Sequence, residues 1–297
     1  MKTSLKIISV ILFLSNVVAF ATTTAIPPPP KQTTQTDPVQ FRNNQEKKQI
    51  NNPFAITFYE PTYILPFYYS SSHSAIYKNN TPNQQTLQRA EVNFQFSLKA
   101  PVWKNILRQK NILYVAYTQL SFWQAYNKSA FFRDTDYQPE IFLANELDKP
   151  LSKNWDLQFI NVGVVHQSNG RGDSLERSWN RLYVEGIFSR DNLVFNIRPW
   201  YIFPDGSLHA DNPNISDYLG HGRLLIAYKF RTQTLSFMTY NIENGFKRTA
   251  VKLAWSLPLT AKLRGYVQWF SGYGESLLEY NHHSNSIGLG IALSDWI

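Results

Sequence analysis

The chain has 297 residues, of which 43% are hydrophobic and 15% are aromatic, and its formal net charge is +8. It contains no cysteine, which excludes disulfide bonds and thiolate-bound metal sites. Its basic residues are dispersed along the chain, so the positive charge does not indicate a nucleic-acid partner.

The first residues predict export. Two lysines accompany an apolar run from Ile7 to Phe20, and a small-x-small cleavage signal ends at Ala21. The run is too short for a membrane-spanning helix. We therefore predict a cleaved signal peptide over residues 1–21.

The next segment is rich in Pro, Thr, Gln and Asn. It includes four consecutive prolines from Pro27 to Pro30 and a polar stretch from Asn43 to Asn52. Such a composition buries too little apolar surface to order itself. We predict a flexible leader over residues 22–52, followed by one folded domain over residues 53–297.

Alternation of apolar and polar residues dominates that domain. Val92, Phe94, Phe96 and Leu98 alternate with polar residues, and segments near 224, 251 and 287 show the same pattern. Successive side chains of a strand point to opposite faces. Because no apolar run of about 18 residues follows the signal peptide, the pattern favours a transmembrane β-barrel with one face to lipid and one to the lumen.

The same alternation predicts twelve strands, near residues 61–70, 89–100, 111–125, 137–147, 154–168, 179–190, 193–203, 219–231, 233–243, 247–257, 262–274 and 284–295. The predicted fold is all-β, a 12-stranded antiparallel barrel of the bacterial outer membrane. Connections alternate between short and long, and such barrels place the long ones outside the cell. The long connection 169–178 is therefore predicted to face outwards.

Three residues beside that connection suggest chemistry. His166 and Ser168 continue the parity of the apolar Val164, and Asn180 shares the parity of Leu182. In a hairpin the three polar side chains converge on the lipid-facing surface. A serine hydroxyl attacks an ester when an imidazole removes its proton and a third group fixes the imidazole tautomer.

The segment from His166 to Tyr183 carries a family resemblance, together with Tyr117-Thr118-Gln119, Pro199-Trp200-Tyr201, Asp211-Asn212-Pro213 and the segment from Ser271 to Leu277. From about residue 53 onwards the chain resembles outer membrane phospholipase A. The resemblance implies a twelve-stranded barrel and a calcium-dependent hydrolase. Its expected substrates are the sn-1 and sn-2 acyl esters of glycerophospholipids and lysophospholipids, and its site faces the outer leaflet.

The resemblance also implies roles for individual residues. Ser168 is expected to be the nucleophile, His166 the general base, Asn180 the orienting group and the backbone N–H of Gly170 an oxyanion donor. A neutral amide suits a surface that faces hydrocarbon, because a carboxylate there would carry a large desolvation cost.

Calcium and a second subunit complete the implied site. The expected calcium ligands are Ser129 of the partner subunit, the carbonyl of Arg171 and the side chain of Glu176, where the family pattern has Ser. A second, weaker calcium position would use Asp211, with Asp173 nearby. Gln119 matches a residue at the family's dimer interface, which implies a reversible homodimer as the active form.

A porin-like channel without hydrolase activity is the alternative interpretation. Twelve strands lie between small filled barrels and open porins. The expected inward-facing charges either pair with one another or line an aqueous path; they are Glu91, Arg181, Glu185, Arg198, Arg223, Lys229, Lys252 and Arg264. A channel does not explain polar residues on the lipid-facing surface, where they are costly and usually functional.

Overall fold

The structure, a computed structural model, describes residues 37–52, 54–71, 75–106, 110–151, 155–204 and 212–297, without the side chains at 148 and 149. The predicted signal peptide, residues 1–21, and the first part of the predicted leader, residues 22–36, lie outside the described residues.

Twelve antiparallel strands form a closed barrel. They are β1 (Thr62–Ser70), β2 (Ala90–Lys104), β3 (Asn111–Gln124), β4 (Phe131–Pro150), β5 (Asp156–Ser168), β6 (Ser178–Arg190), β7 (Leu193–Ile202), β8 (Gly222–Phe230), β9 (Gln233–Tyr240), β10 (Ala250–Pro258), β11 (Arg264–Tyr273) and β12 (His283–Ser294). Each strand pairs with its neighbour in the chain, and β12 pairs with β1. The segment Thr57–Phe58 adds a short pairing to β2. The predicted all-β barrel of twelve strands is confirmed.

The seam between β12 and β1 depends on a glycine. The register shifts between Leu289 and Ile291, and a Cβ at the intervening Gly290 would collide with the carbonyl oxygen of Ile64. A residue without a side chain therefore lets the first and last strands approach closely enough to close the barrel.

The two faces of the wall differ as the alternation predicts. Outward side chains are apolar and exposed, among them Val115, Val164, Leu182, Leu235, Leu253 and Leu289. Inward side chains are polar and buried, among them Glu91, Asn93, Gln95, Ser97, Asn161 and Glu185. An apolar outer band around a polar interior is the pattern of an outer-membrane barrel. Among the described residues, no helix has the length and apolar character needed to cross a membrane.

Among the described residues, five of the eight predicted inward charges form ion pairs, namely Glu91, Glu185, Arg198, Arg223 and Arg264. Arg133 forms ion pairs with Glu91 at 2.9 Å and Glu279 at 2.7 Å, and Arg198 meets Glu185 at 2.7 Å. The first pair joins β2 to β4, the second joins β4 to the β11–β12 loop, and the third joins the adjacent strands β6 and β7. Of the two arrangements left open by the sequence, paired charges or an aqueous path, the structure shows extensive pairing.

The start of β4 corrects one predicted boundary. The strand begins at Phe131, whereas the alternation predicted a start near 137. The charged residues just before the predicted start are buried, namely Arg133, Asp134 and Asp136. Asp134 and Asp136 accept hydrogen bonds from the backbone N–H groups of Leu278 and Leu277. The strand therefore continues towards the long connections, where its carboxylates hold the β11–β12 loop.

A helix, α1 (Pro38–Gln49), occupies the lumen at the end with the short turns. Its Arg42 donates to the carbonyl oxygens of Tyr59 at 2.8 Å and Trp296 at 3.0 Å. Its Glu46 forms an ion pair with Lys99 of β2 at 2.8 Å. The prediction of a flexible leader is therefore wrong for residues 38–49. The physical reason is that this polar helix is ordered by hydrogen bonds and ion pairs with the barrel interior, and not by burial in a hydrophobic core.

Local signals explain where α1 begins. The side chain of Asp37 accepts hydrogen bonds from the N–H groups of Val39 and Gln40, and Pro38 occupies the first turn. Both features are typical of a helix start. Burial raises the pKa of Glu46, but the nearby charges of Lys99 and Arg42 outweigh burial and hold that pKa below its ordinary value. The carboxylate is therefore a stable ionic partner for both.

Candidate active site

His166 and Asn180 form the best-defined contact of the site. They are register partners in the β5–β6 hairpin, and Nδ1 of His166 lies 2.8 Å from Oδ1 of Asn180. Because the amide oxygen accepts only, Nδ1 must carry the proton. The lone pair of Nε2 is then free to accept a proton from a neighbouring hydroxyl.

Ser168 lies two residues beyond His166 on the same face. Both side chains are half-buried, and Val164 and Leu182 on this face are 41% and 40% exposed. Within the described residues, no hydrogen bond joins Ser168 to His166. The hairpin thus brings the imidazole and the amide into contact and places the serine beside them on the apolar outer wall.

The loop between β5 and β6 is organised by Asn169, which the sequence reasoning did not assign a role. Its buried side chain accepts from the N–H groups of Arg177 and Arg171, at 3.0 and 3.4 Å, and donates to the carbonyl of Leu175 at 2.8 Å. One side chain therefore spans the whole loop. An Asn directly after a strand and before Gly is a typical signal for such a turn.

Gly170 adopts a left-handed conformation with φ of +62°. A Cβ at this position would lie 2.8 Å from Cε2 of Tyr137, the register partner of Ser168. Both the dihedral angle and the space favour glycine here. The backbone N–H of Gly170 is thereby carried on a tight turn two residues from the Ser168 hydroxyl.

The predicted calcium ligands that the structure describes fall in two loops. Glu176 is half-buried and Asp173 is exposed with φ of +55°. The side chain of Arg171 turns away, donating to the carbonyls of Phe132 and Arg133. Ser129 lies in the β3–β4 loop, and Asp211 lies outside the described residues.

Ser129 is fixed by its own chain. Its N–H donates to Oε1 of Gln85 at 3.1 Å, and its carbonyl accepts from Nε2 of Gln85 at 3.0 Å. The residue is exposed. Its hydroxyl is consequently presented on the surface of the long-loop end.

The chemistry of these donors fits a hard cation. The Arg171 carbonyl, the Glu176 carboxylate and the Ser129 hydroxyl are all oxygen ligands, which calcium prefers. Within the described residues, the half-buried carboxylate of Glu176 makes no hydrogen bond or ion pair. No group of three or more His, Asp or Glu arranged to hold a metal occurs in the described part of the chain. Any calcium would therefore depend on carbonyl and hydroxyl oxygens as well.

Gln119 lies on the outward face of β3. It accepts from the hydroxyl of Tyr117 at 3.0 Å and donates to the hydroxyl of Ser121 at 3.1 Å. Tyr117 is 37% exposed. A polar row on a surface that faces hydrocarbon is energetically costly unless it meets another polar surface.

The chain is similar in sequence and fold to known proteins. The family model for Phospholipase A1 matches residues 39–293. The chain belongs to the phospholipase A1 family.

Two curated relatives of this phospholipase A1 family member illustrate the similarity. It is 39% identical over 249 residues to the Phospholipase A1 of Proteus vulgaris, covering 82% of this chain and 83% of that protein. It is 34% identical over 272 residues to the Putative phospholipase A1 of Neisseria meningitidis serogroup B, covering 87% and 70%.

Two solved structures share the fold of this family member. The outer membrane phospholipase A of Escherichia coli superposes with a TM-score of 0.77 at 35% identity, covering 82% of this chain and 94% of that one. The Salmonella typhi outer membrane phospholipase, solved as a dimer with bound calcium, superposes with a TM-score of 0.76 at 34% identity and the same coverage.

Proposed function

We propose that this outer-membrane barrel hydrolyses acyl esters of phospholipids through Ser168, His166 and Asn180. The observation that carries the proposal is the 2.8 Å contact between His166 and Asn180 on the outward wall, with Ser168 beside it. A lipid ester reaches this surface directly from the bilayer. The substrates we propose are glycerophospholipids and lysophospholipids, cleaved at sn-1 and sn-2.

The chemistry follows from the residues present. Asn180 holds His166 with its proton on Nδ1, so Nε2 removes the proton of the Ser168 hydroxyl as the oxygen attacks the ester carbonyl. The protonated imidazole then returns the proton to the departing alcohol, which leaves an acyl group on Ser168. Water then attacks the acyl-serine ester while His166 removes its proton. The imidazole returns that proton to Ser168 as the fatty acid is released.

The oxyanion of each tetrahedral state requires donors. The backbone N–H of Gly170 is the donor we assign in this chain, because this residue follows Ser168 by two positions on a turn that only glycine readily adopts. We propose that Arg171 and Glu176, with Ser129 of the partner subunit, hold calcium beside it. Bound there, calcium would supply positive charge that stabilises the developing oxyanion.

We also propose that a reversible homodimer is the active form, with the outward Gln119 row at its interface. The dimer of the Salmonella typhi relative, with its bound calcium, supports this assignment. A second copy would satisfy the polar groups of Gln119 away from lipid. Full activity in a protein held monomeric by dilution in detergent would contradict the proposal.

The test is release of fatty acid from detergent-dispersed phosphatidylethanolamine, with and without calcium. Ser168→Ala is compared with Ser178→Ala, which removes the hydroxyl of the register partner on the same wall. We expect release that needs calcium and Ser168 and that survives in Ser178→Ala. No release from folded wild-type barrel, combined with conductance in planar bilayers, would instead establish the porin-like alternative.

A further inference from the structure

The lumen side of the wall behind the site carries a cluster that we call the inner clamp: Gln167, Trp179 and Arg181. On β5, strand alternation turns Gln167 inwards between the outward His166 and Ser168. On β6, it turns Trp179 and Arg181 inwards on either side of the outward Asn180. All three inner residues line the lumenal cavity. The clamp and the triad therefore share the same backbone on opposite faces.

One amide oxygen joins the two strands. Oε1 of Gln167 on β5 accepts from Nε1 of Trp179 at 2.9 Å and from Nη2 of Arg181 at 2.9 Å, both on β6. The guanidinium of Arg181 lies 3.9 Å from the centroid of the Trp179 ring. The amide thus holds two β6 side chains at once, and these are the residues immediately before and after Asn180.

The arginine of the clamp has few other partners. Among the described residues, Arg181 makes no ion pair with a carboxylate, and its Nε has no hydrogen-bond partner. A second indole, Trp200, lies 5.3 Å from the guanidinium. Among the described residues, the guanidinium is therefore contacted by the Gln167 oxygen and the two indole faces, while Glu140 and Glu60 favour its charge without forming an ion pair with it.

The tryptophan anchors the clamp to the long-loop end. Trp179 is 2% exposed and packs in a cluster with Ile215, Leu219 and Leu277. Ile215 and Leu219 belong to the short helix α2 (Ile215–Leu219) in the β7–β8 connection. The clamp is consequently fixed to the loops as well as to the neighbouring strand.

We infer that Gln167, Trp179 and Arg181 are positioning residues that set the geometry of the triad through the barrel wall. The inference rests on the proposed function. Because Gln167 lies between His166 and Ser168 in the chain, any rotation of β5 against β6 moves both of them relative to Asn180. Displacements of about 1 Å are enough to cost about a hundredfold in rate.

The test separates positioning from folding. Gln167→Met keeps the side-chain length and removes the acceptor, whereas Gln167→Glu keeps an oxygen acceptor for both donors. Ser189→Ala is the matched control, because it removes another lumenal β5–β6 hydrogen bond, from Gln158 at 2.8 Å, near the far end of the same hairpin. The readouts are kcat and KM on a soluble ester, the labelling rate of Ser168 by a sulfonyl fluoride, and thermal unfolding of the barrel.

We expect Gln167→Met to lower kcat and the labelling rate by about tenfold to a hundredfold, with KM changed by less than about twofold. Gln167→Glu should recover most of both rates, and Ser189→Ala should match the wild type. The inference is overturned if Gln167→Met has the kcat of the wild type, or if its kcat falls only in proportion to the fraction of protein that is folded. A wild-type barrel whose Ser168 neither turns over nor reacts overturns the proposed function, and the inference with it.

Discussion

Tyr137 stands opposite Ser168 in the β4–β5 register, and its ring also fills the space beside Gly170. One aromatic side chain therefore borders both the proposed nucleophile and the proposed oxyanion donor. A side chain at Gly170 would collide with this ring, so a substitution at that position has a specific structural consequence.

Gly170→Ala tests that turn. Alanine at φ of +62° costs about 1–2 kcal/mol, and its Cβ meets the Tyr137 ring, so the N–H shifts away from Ser168. We expect kcat to fall by about tenfold to a hundredfold while the barrel remains folded. Steady-state kinetics on a soluble ester check this. Adding Tyr137→Ala should restore part of the activity by relieving the contact, and no recovery would show that the dihedral angle alone matters.

Asn180→Ala removes the acceptor of the His166 Nδ1–H. The imidazole then loses its fixed tautomer, and we expect kcat to fall by at least about tenfold with KM little changed. Asn180→Asp keeps an acceptor at the same place and should retain more activity than Asn180→Ala. Equal activity of both variants in fatty acid release would mean that the 2.8 Å contact does not orient the base.

Glu176→Gln tests the calcium proposal. The substitution removes one charge and keeps an oxygen, so we expect the calcium concentration for half-maximal activity to rise by about tenfold. Asp191→Asn is the control, since it makes the same charge change in the turn between β6 and β7, on an exposed residue. Calcium titrations of activity that superimpose for wild type and Glu176→Gln would remove Glu176 from the site.

The ion pair between Glu46 of α1 and Lys99 predicts that the docking of α1 depends on pH. Because the pKa of Glu46 lies below its ordinary value of 4.5, the pair stabilises the docked helix above about pH 4.5 and loses that contribution as pH falls through the lower folded pKa. Hydrogen-exchange protection factors of α1 should therefore decline below about pH 4.5.

Lys99→Met removes the cation that faces Glu46 at 2.8 Å. We expect it to weaken docking of α1 by on the order of 2 kcal/mol and to remove most of the acid-dependent loss of protection. The control is Lys48→Met, which changes an exposed lysine of the same helix. Unchanged protection of α1 in Lys99→Met would contradict the assignment.

The barrel was predictable because lipid imposes a strict pattern on the sequence. Val162, Val164, Leu182 and Val184 are all exposed on the outer wall, and their parity alone places His166 and Asn180 on that wall. The start of β4 was not predictable in the same way. Beyond the apolar band, Arg133 and Asp134 are buried by the loops, and alternation no longer separates strand from loop.

Helix α1 was not predicted from the sequence, for a related reason. Amphipathic helices are recognised by an apolar stripe, and this helix has none, because the surfaces around it are themselves charged and polar. Its start signals, Asp37 and Pro38, were present in the sequence. Asn169 is a similar case, because the sequence indicates a turn at this residue. The hydrogen bonds between its amide and Arg171, Leu175 and Arg177 appear only in the folded loop.

Arg42 of α1 also connects the two ends of the barrel wall. Its guanidinium binds carbonyls of Phe58 and Tyr59, which precede the first strand, and of Asp295 and Trp296, which follow the last. Two of its four carbonyl acceptors therefore reach the guanidinium only when β12 is paired with β1 and the seam is shut. The full set of Arg42 contacts therefore exists only in the closed barrel, in which a single side chain of α1 joins the segment before the first strand to the segment after the last.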